Sequence, residues 1–210
     1  MFMQTTRKAL WFASLLLPSV PCFAARITPE PLPLTVSVHN DANVPAATMT
    51  SAQVTASRIF RQAGLAVKWI ICAPSTDKTL GAVGCSEAEF PSHLQVRIVS
   101  RQRNTNGSTL GVSYLAADGT GCYSDIFFTR IINLHSSSGQ DIGPILGHVI
   151  AHEIAHLLSG INAHSPLGIM RARWDKRELL KASEGDLLFT EEQSQVMRQR
   201  LSTERQALGD

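Results

Sequence analysis

The sequence predicts an α+β domain, a mixed β-sheet with helices packed on it, and three observations predict it. Five short stretches either alternate apolar and polar residues or are rich in branched and aromatic ones, as half-buried and buried strands are. One longer stretch, about residues 144–159, is apolar almost all round a helical period, as in a helix enclosed by a core. The order of strand, helix, several strands, buried helix, irregular segment and final helix suits helices laid on one sheet.

The first residues stand apart from this pattern. Arg7 and Lys8 form a basic region, Ala9 to Leu17 an apolar one, and Cys22-Phe23-Ala24 offers small residues at the two positions a signal peptidase reads. Residues 1–24 are therefore expected to be a signal peptide and residues 25–210 a single domain, with the protein secreted or periplasmic. The apolar run before Pro18 is far shorter than the roughly 20 residues of a spanning helix, so no stable membrane anchor is expected. A lipoprotein signal ending at Cys22 fits poorly, because Pro21 stands where a small residue is needed. Without the two basic residues of the signal, acidic and basic residues balance. With no basic run in the chain, nucleic acid is not expected as a partner.

Leu34 to Val38 alternates as the first strand. Ser51 is expected to cap a helix running to Ala63, with Val54, Ile59 and Phe60 among its apolar positions and Gly64 after its end. Leu65 to Cys72 is the second strand, and His93 to Ser100, alternating through Leu94, Val96 and Ile98, the third. Leu110 to Leu115 and Tyr123 to Phe128 are two more, separated by the turn-like Asp118-Gly119-Thr120-Gly121. Cys72 and Cys85 flank a stretch rich in Pro, Gly, Ser and Thr, and an exported chain oxidises such a pair to a disulfide. Cys122 is left over, expected as a buried thiol. Pro144 suits a first helical position, and Gly160 suits the left-handed position that ends a helix. Thr190 and Gln193 have capping-box spacing and open the final helix.

The chemistry lies in His152-Glu153-Ile154-Ala155-His156 and the residues from there to Met170. His152 and His156 are four apart, so their imidazoles project from one helix face, one turn above the other, and can reach a single Zn²⁺. Glu153 is the next residue round. It can reach a water on the metal without ligating it and take that water's proton during attack on a carbonyl, as a general base. A catalytic zinc needs a third protein ligand and an open position. Gly160 stops the helix so that the chain can turn and bring His164 back, whereas a continued helix would carry it about two turns away. The alternative third ligand is a glutamate further on, Glu178 or Glu184. His148, one turn before His152, is rotated off that face and reads as core or as a support for the ligands. His39, His93 and His135 read as incidental, and Trp69 and Trp174 as core.

These residues resemble the metzincin clan of zinc metalloproteases, whose pattern is HExxHxxGxxH followed by a methionine turn under the metal. The run His152 to Met170 carries the likeness. Ser165 after the third histidine is similar to the matrixin branch, and the segment Leu110-Gly111-Val112-Ser113-Tyr114 is similar to the clan's N-terminal half. The string as a whole is also similar to small secreted bacterial proteins related to this clan. Three residues rather than two stand on each side of Gly160, so the third histidine arrives two residues late, and no tyrosine follows Met170. The resemblance implies a zinc metalloendopeptidase with Met170 in the turn below the metal and a peptide or protein substrate. That substrate would add as a strand to a sheet edge near Gly111 to Tyr114. The gluzincin arrangement corresponds to the Glu178 or Glu184 alternative. The long arm to His164 and the missing tyrosine motivate two other readings: a non-catalytic zinc-binding module, and a zinc amidase acting on cell-wall peptide.

Overall fold

The five strand stretches pair into one five-stranded sheet in the computed structural model, which describes residues 30–72, 85, 87–100 and 109–209. The strands are β1 (Leu32–Asn40), β2 (Leu65–Cys72), β3 (His93–Val99), β4 (Gly111–Tyr114) and β5 (Tyr123–Phe127). Their order is β2-β1-β3-β5-β4. All neighbours are parallel except β4, which runs antiparallel to β5 and forms one edge. The helices are α1 (Ala46–Gln62), α2 (Phe128–Ser138), α3 (Ile142–Ser159), α4 (Lys176–Glu184) and α5 (Glu191–Leu208). The signal peptide expected over residues 1–24 lies outside the described residues.

The register follows the side-chain pattern. Val36 sits opposite Trp69 on one side and Leu94 on the other, and Val38 opposite Val96, so the buried positions of β1 and β3 fall into rows. These rows pack against Ile59 and Phe60 of α1 and Ile145, Ile150 and Ile154 of α3 in one continuous core. Helix α3 is enclosed nearly throughout, every residue from Ile145 to Leu158 being buried. Its backbone comes close to α1: a Cβ on Gly147 would lie 2.5 Å from the Ala52 carbonyl oxygen.

Three boundaries differ from the sequence reading. Helix α1 begins at Ala46, with Pro45 rather than Ser51 at its N-cap, because Met49 is already buried in the first turn. Helix α3 begins at Ile142, and Asp141 caps it through the Gly143 N–H at 3.3 Å, so Pro144 sits within the first turn rather than at its start. Phe128, expected to close the last strand, opens α2, whose buried Phe128 and Ile131 are three apart. Helix α4 lies within the segment expected to be irregular. The signal for it is present in the sequence, since Asp175 and Glu178 form a capping box and Gly185 ends the helix at φ 86°. The final helix starts where expected, with Thr190 and Gln193 satisfying each other's backbone.

Cys72 and Cys85 form the expected disulfide, with Cα atoms 5.7 Å apart. Cys122 is a free, half-buried thiol rather than a fully buried one, and burial pushes its pKa up.

Candidate metal centre

Helix α3 presents His152 and His156 one turn apart on the face that leaves the core, and both remain buried. The chain after the helix fixes their rings. Gly160, at φ 72°, takes the left-handed position that ends α3. A side chain there would also strike Arg200, which lies across the turn. Past this turn the segment folds back along the helix. His156 Nδ1–H donates to the Ile161 carbonyl at 2.8 Å, and His152 Nδ1–H donates to the Ile169 carbonyl at 2.8 Å. Ser165 N–H donates to the Met170 carbonyl at 2.8 Å, which closes the loop between them. The same loop carries His164 to the other two histidines. Its ring centroid lies 5.3 Å from that of His152 and 5.0 Å from that of His156. One nitrogen from each of the three rings lies within 4.8 Å of the others, a group able to hold a metal ion.

The protonation chemistry fits such an ion. With both Nδ1 atoms donating to carbonyls, the Nε2 lone pairs of His152 and His156 face each other at 3.1 Å. Burial, with the neighbouring His156 adding to it, pushes His152 down to about 3, and burial lowers His156 and His164 as well. A shared proton is therefore disfavoured, and two buried acceptors aimed at one point call for a cation. Nitrogens at about 2.0–2.1 Å from a tetrahedral zinc stand about 3.3 Å apart, close to the separation seen here. Carbonyl acceptors on the far side of each ring are the usual means of fixing ligand histidines.

Glu153, the next residue round the helix, lines the same cleft and reaches the sheet edge. Its Oε2 accepts from Ser113 Oγ at 2.7 Å; the same hydroxyl lies 2.7 Å from the Glu153 carbonyl and 2.9 Å from Ser124 Oγ. Burial raises the carboxyl to about 7, and the Ser113 bond works against that rise. Gly111 lies directly against it: a Cβ there would come within 2.7 Å of Glu153 Cγ. These residues sit in a cleft of about 610 Å³ bordered by β4, α2, α3 and residues 171–174. Trp174 lines the same cleft. Its indole N–H donates to the Ile169 carbonyl at 3.2 Å, and its ring stands edge-on to His152 with centroids 6.0 Å apart.

The structure thus brings together His152, Glu153, His156 and His164. His148 stays outside the group, buried, donating to the Pro144 carbonyl at 2.8 Å and standing edge-on to Trp174. Met170 is buried in the core, one residue beyond the carbonyl that orients His152. Glu178 and Glu184 do not line the cleft. Glu178 instead holds Arg171 at 2.7 Å and closes the capping box of α4. Trp69, expected in the core, is half-buried and donates to Ser57 Oγ at 2.8 Å. The Leu110–Tyr114 segment stands out in the sequence, but the contact of Ser113 with Glu153 and the place of Trp174 beside His152 do not, because only the fold sets β4 and the segment after Met170 beside the histidines.

No protein-family model matches this chain, and no curated protein sequence matches it. Solved structures do. A zinc-dependent peptidase from Methanocorpusculum labreanum superposes with a TM-score of 0.51 at 12% identity, covering 77% of this chain and 99% of the other. An archaemetzincin from Methanopyrus kandleri gives a TM-score of 0.49 at 12% identity, covering 85% of this chain and 99% of the other. At this identity the likeness is one of fold: the mixed sheet and its helices match the fold of a zinc-dependent peptidase.

Proposed function

We propose that the protein is a zinc metallopeptidase of metzincin type that hydrolyses peptide bonds with Glu153 as general base. The observation that supports this most is the convergence of three neutral histidine nitrogens beside a buried carboxylate in one cleft. His152, His156 and His164 would hold the zinc. When bound, such an ion supplies a Lewis acid that polarises the scissile carbonyl and acidifies a water at neutral pH. Glu153 takes the proton of the attacking water on a carboxylate oxygen and passes it to the leaving amine. Ser113 holds the other oxygen in place, so the carboxylate keeps one orientation through both transfers. The edge strand β4 faces the cleft, and a bound peptide adds to it as a further strand. The Cys72–Cys85 disulfide fits an oxidising compartment, in keeping with secretion.

The test pairs two variants. Glu153→Gln is expected to keep a full complement of zinc and lose nearly all hydrolysis, since an amide of the same shape cannot accept a proton. His164→Ala is expected to lose metal, because two histidines remain. Zinc content by elemental analysis, with cleavage of a peptide library, reads both. Wild-type turnover in Glu153→Gln would remove the base. Full zinc in His164→Ala together with its loss in Glu178→Ala or Glu184→Ala would move the third ligand downstream. Zinc with no turnover of any peptide would favour the binding module, and turnover confined to cell-wall peptides the amidase.

A further inference from the structure

We infer that the cleft selects peptides carrying carboxylate groups beside the scissile bond, an inference that rests on the peptidase reading above. The charge around the cleft is one-sided. Arg130 of α2 lines it together with Arg171 and Arg173 of the segment after Met170, and among the described residues Glu153 is its only acidic lining group. The composition of the chain does not impose this, because its 19 Lys and Arg nearly balance its 17 Asp and Glu. The three guanidinium groups are held differently. Arg171 donates to Glu178 at 2.7 Å, so its charge is compensated from behind. Arg130 donates to the Thr109 carbonyl and lies over the Phe127 ring at 5.1 Å from its centroid, contacts that fix its place in the cleft wall. Arg173 is exposed and adjoins Trp174, whose ring packs against His152. Cations from two separate elements therefore border the space beside the histidines. A guanidinium binds a carboxylate through two parallel N–H donors, with a preference that amides of the same shape do not share. Glu153 is engaged by Ser113 and required as the base, so the net positive rim is complemented by an acidic substrate.

The experiment uses the zinc-loaded full chain and matched peptide pairs, Asp or Glu against Asn or Gln at the residues flanking the cleaved bond. Each peptide is made with a free and an amidated C-terminus. The acidic members are expected to show kcat/KM at least about tenfold higher, chiefly through KM, with the advantage shrinking as salt is added. That ratio should fall toward one in Arg173→Gln or Arg130→Gln and invert in Arg173→Glu. A preference that follows the free C-terminus rather than the side chains would also support the inference, with the terminal carboxylate as the group recognised. Cleavage of acidic and amide peptides at equal rates would overturn it while leaving the peptidase reading intact. If no peptide is cleaved, fluorescence anisotropy of the same labelled pairs decides. Tighter binding of the acidic members sustains the inference as the peptidase reading fails, and equal binding overturns it.

Discussion

Gly111→Ala perturbs the proposed base without touching it chemically. The new methyl would stand 2.7 Å from Glu153 Cγ, 2.7 Å from Oε1 and 2.8 Å from Cδ. Apolar contacts settle at about 3.5–4.0 Å, so the overlap is about 1 Å. Strand β4 is tied to β5 through paired backbone bonds, with Gly111 opposite Ile126. The side chain, turning about its own torsions, is the easier part to move. The Glu153 carboxylate therefore shifts by about 1 Å and its 2.7 Å bond to Ser113 is strained or broken. A misplacement of that size at a reacting group costs roughly 100-fold in rate, and forcing a methyl into a filled site costs about 1–3 kcal/mol of stability. The assay measures zinc content, kcat and thermal midpoint together. The expected result is full zinc, kcat down by about two orders of magnitude and a lowered midpoint. The double variant Gly111→Ala with Glu153→Asp, one methylene shorter, should regain the midpoint. A Gly111→Ala protein that keeps wild-type kcat with a full zinc complement would show that the position of Glu153 does not govern the rate.

Other consequences are separable. Gly147→Ala would place a methyl 2.5 Å from the Ala52 carbonyl oxygen, so α1 and α3 must part. The loss should be about 1–3 kcal/mol, seen as a lowered midpoint; a raised one would mean that helix propensity outweighs the contact. Cys72→Ser opens the loop closed at a sequence separation of 13 and should cost about 3 kcal/mol; an unchanged denaturation midpoint would refute this. His148 is pushed by burial from 6.5 down to about 4, so it stays neutral when folded at a pH where the unfolded chain takes up a proton. Its contribution is complete above pH 6.5 and is lost as pH falls toward 4, by about 3 kcal/mol. Unfolding titrations with a chelator present should show a shallower acid loss in His148→Leu; identical slopes would place the acid sensitivity elsewhere.

Much of this molecule can be read from local pattern. A period of two marks β1 and β3, richness in branched and aromatic residues marks β2, and nearly unbroken apolarity marks α3 as the buried helix. The four-residue step from His152 to His156 puts two imidazoles on one face wherever that helix lies. Gly160 is legible because it depends on a rule of backbone geometry, and the Cys72–Cys85 pair because an exported chain oxidises two cysteines that flank a turn-rich stretch. The capping box of α4 is equally local, although its segment reads as irregular from apolar periodicity alone.

Contacts between residues distant in the chain belong to the fold. Ser113 and Glu153 are 40 residues apart and meet only because β4 forms the sheet edge beside α3. The approach of His164 depends on Ile161 and Ile169 carbonyls finding the rings of His156 and His152, which no spacing rule specifies. The same holds for Arg130 and Arg173, two cations far apart in the sequence that share a cleft once α2 and the segment after Met170 are packed. A residue's own neighbours set its backbone conformation, so sequence alone determined the helix and its two histidines. The approach of His164, the contact of Ser113 with Glu153 and the charge of the cleft were decided by burial and pairing between residues distant in the chain.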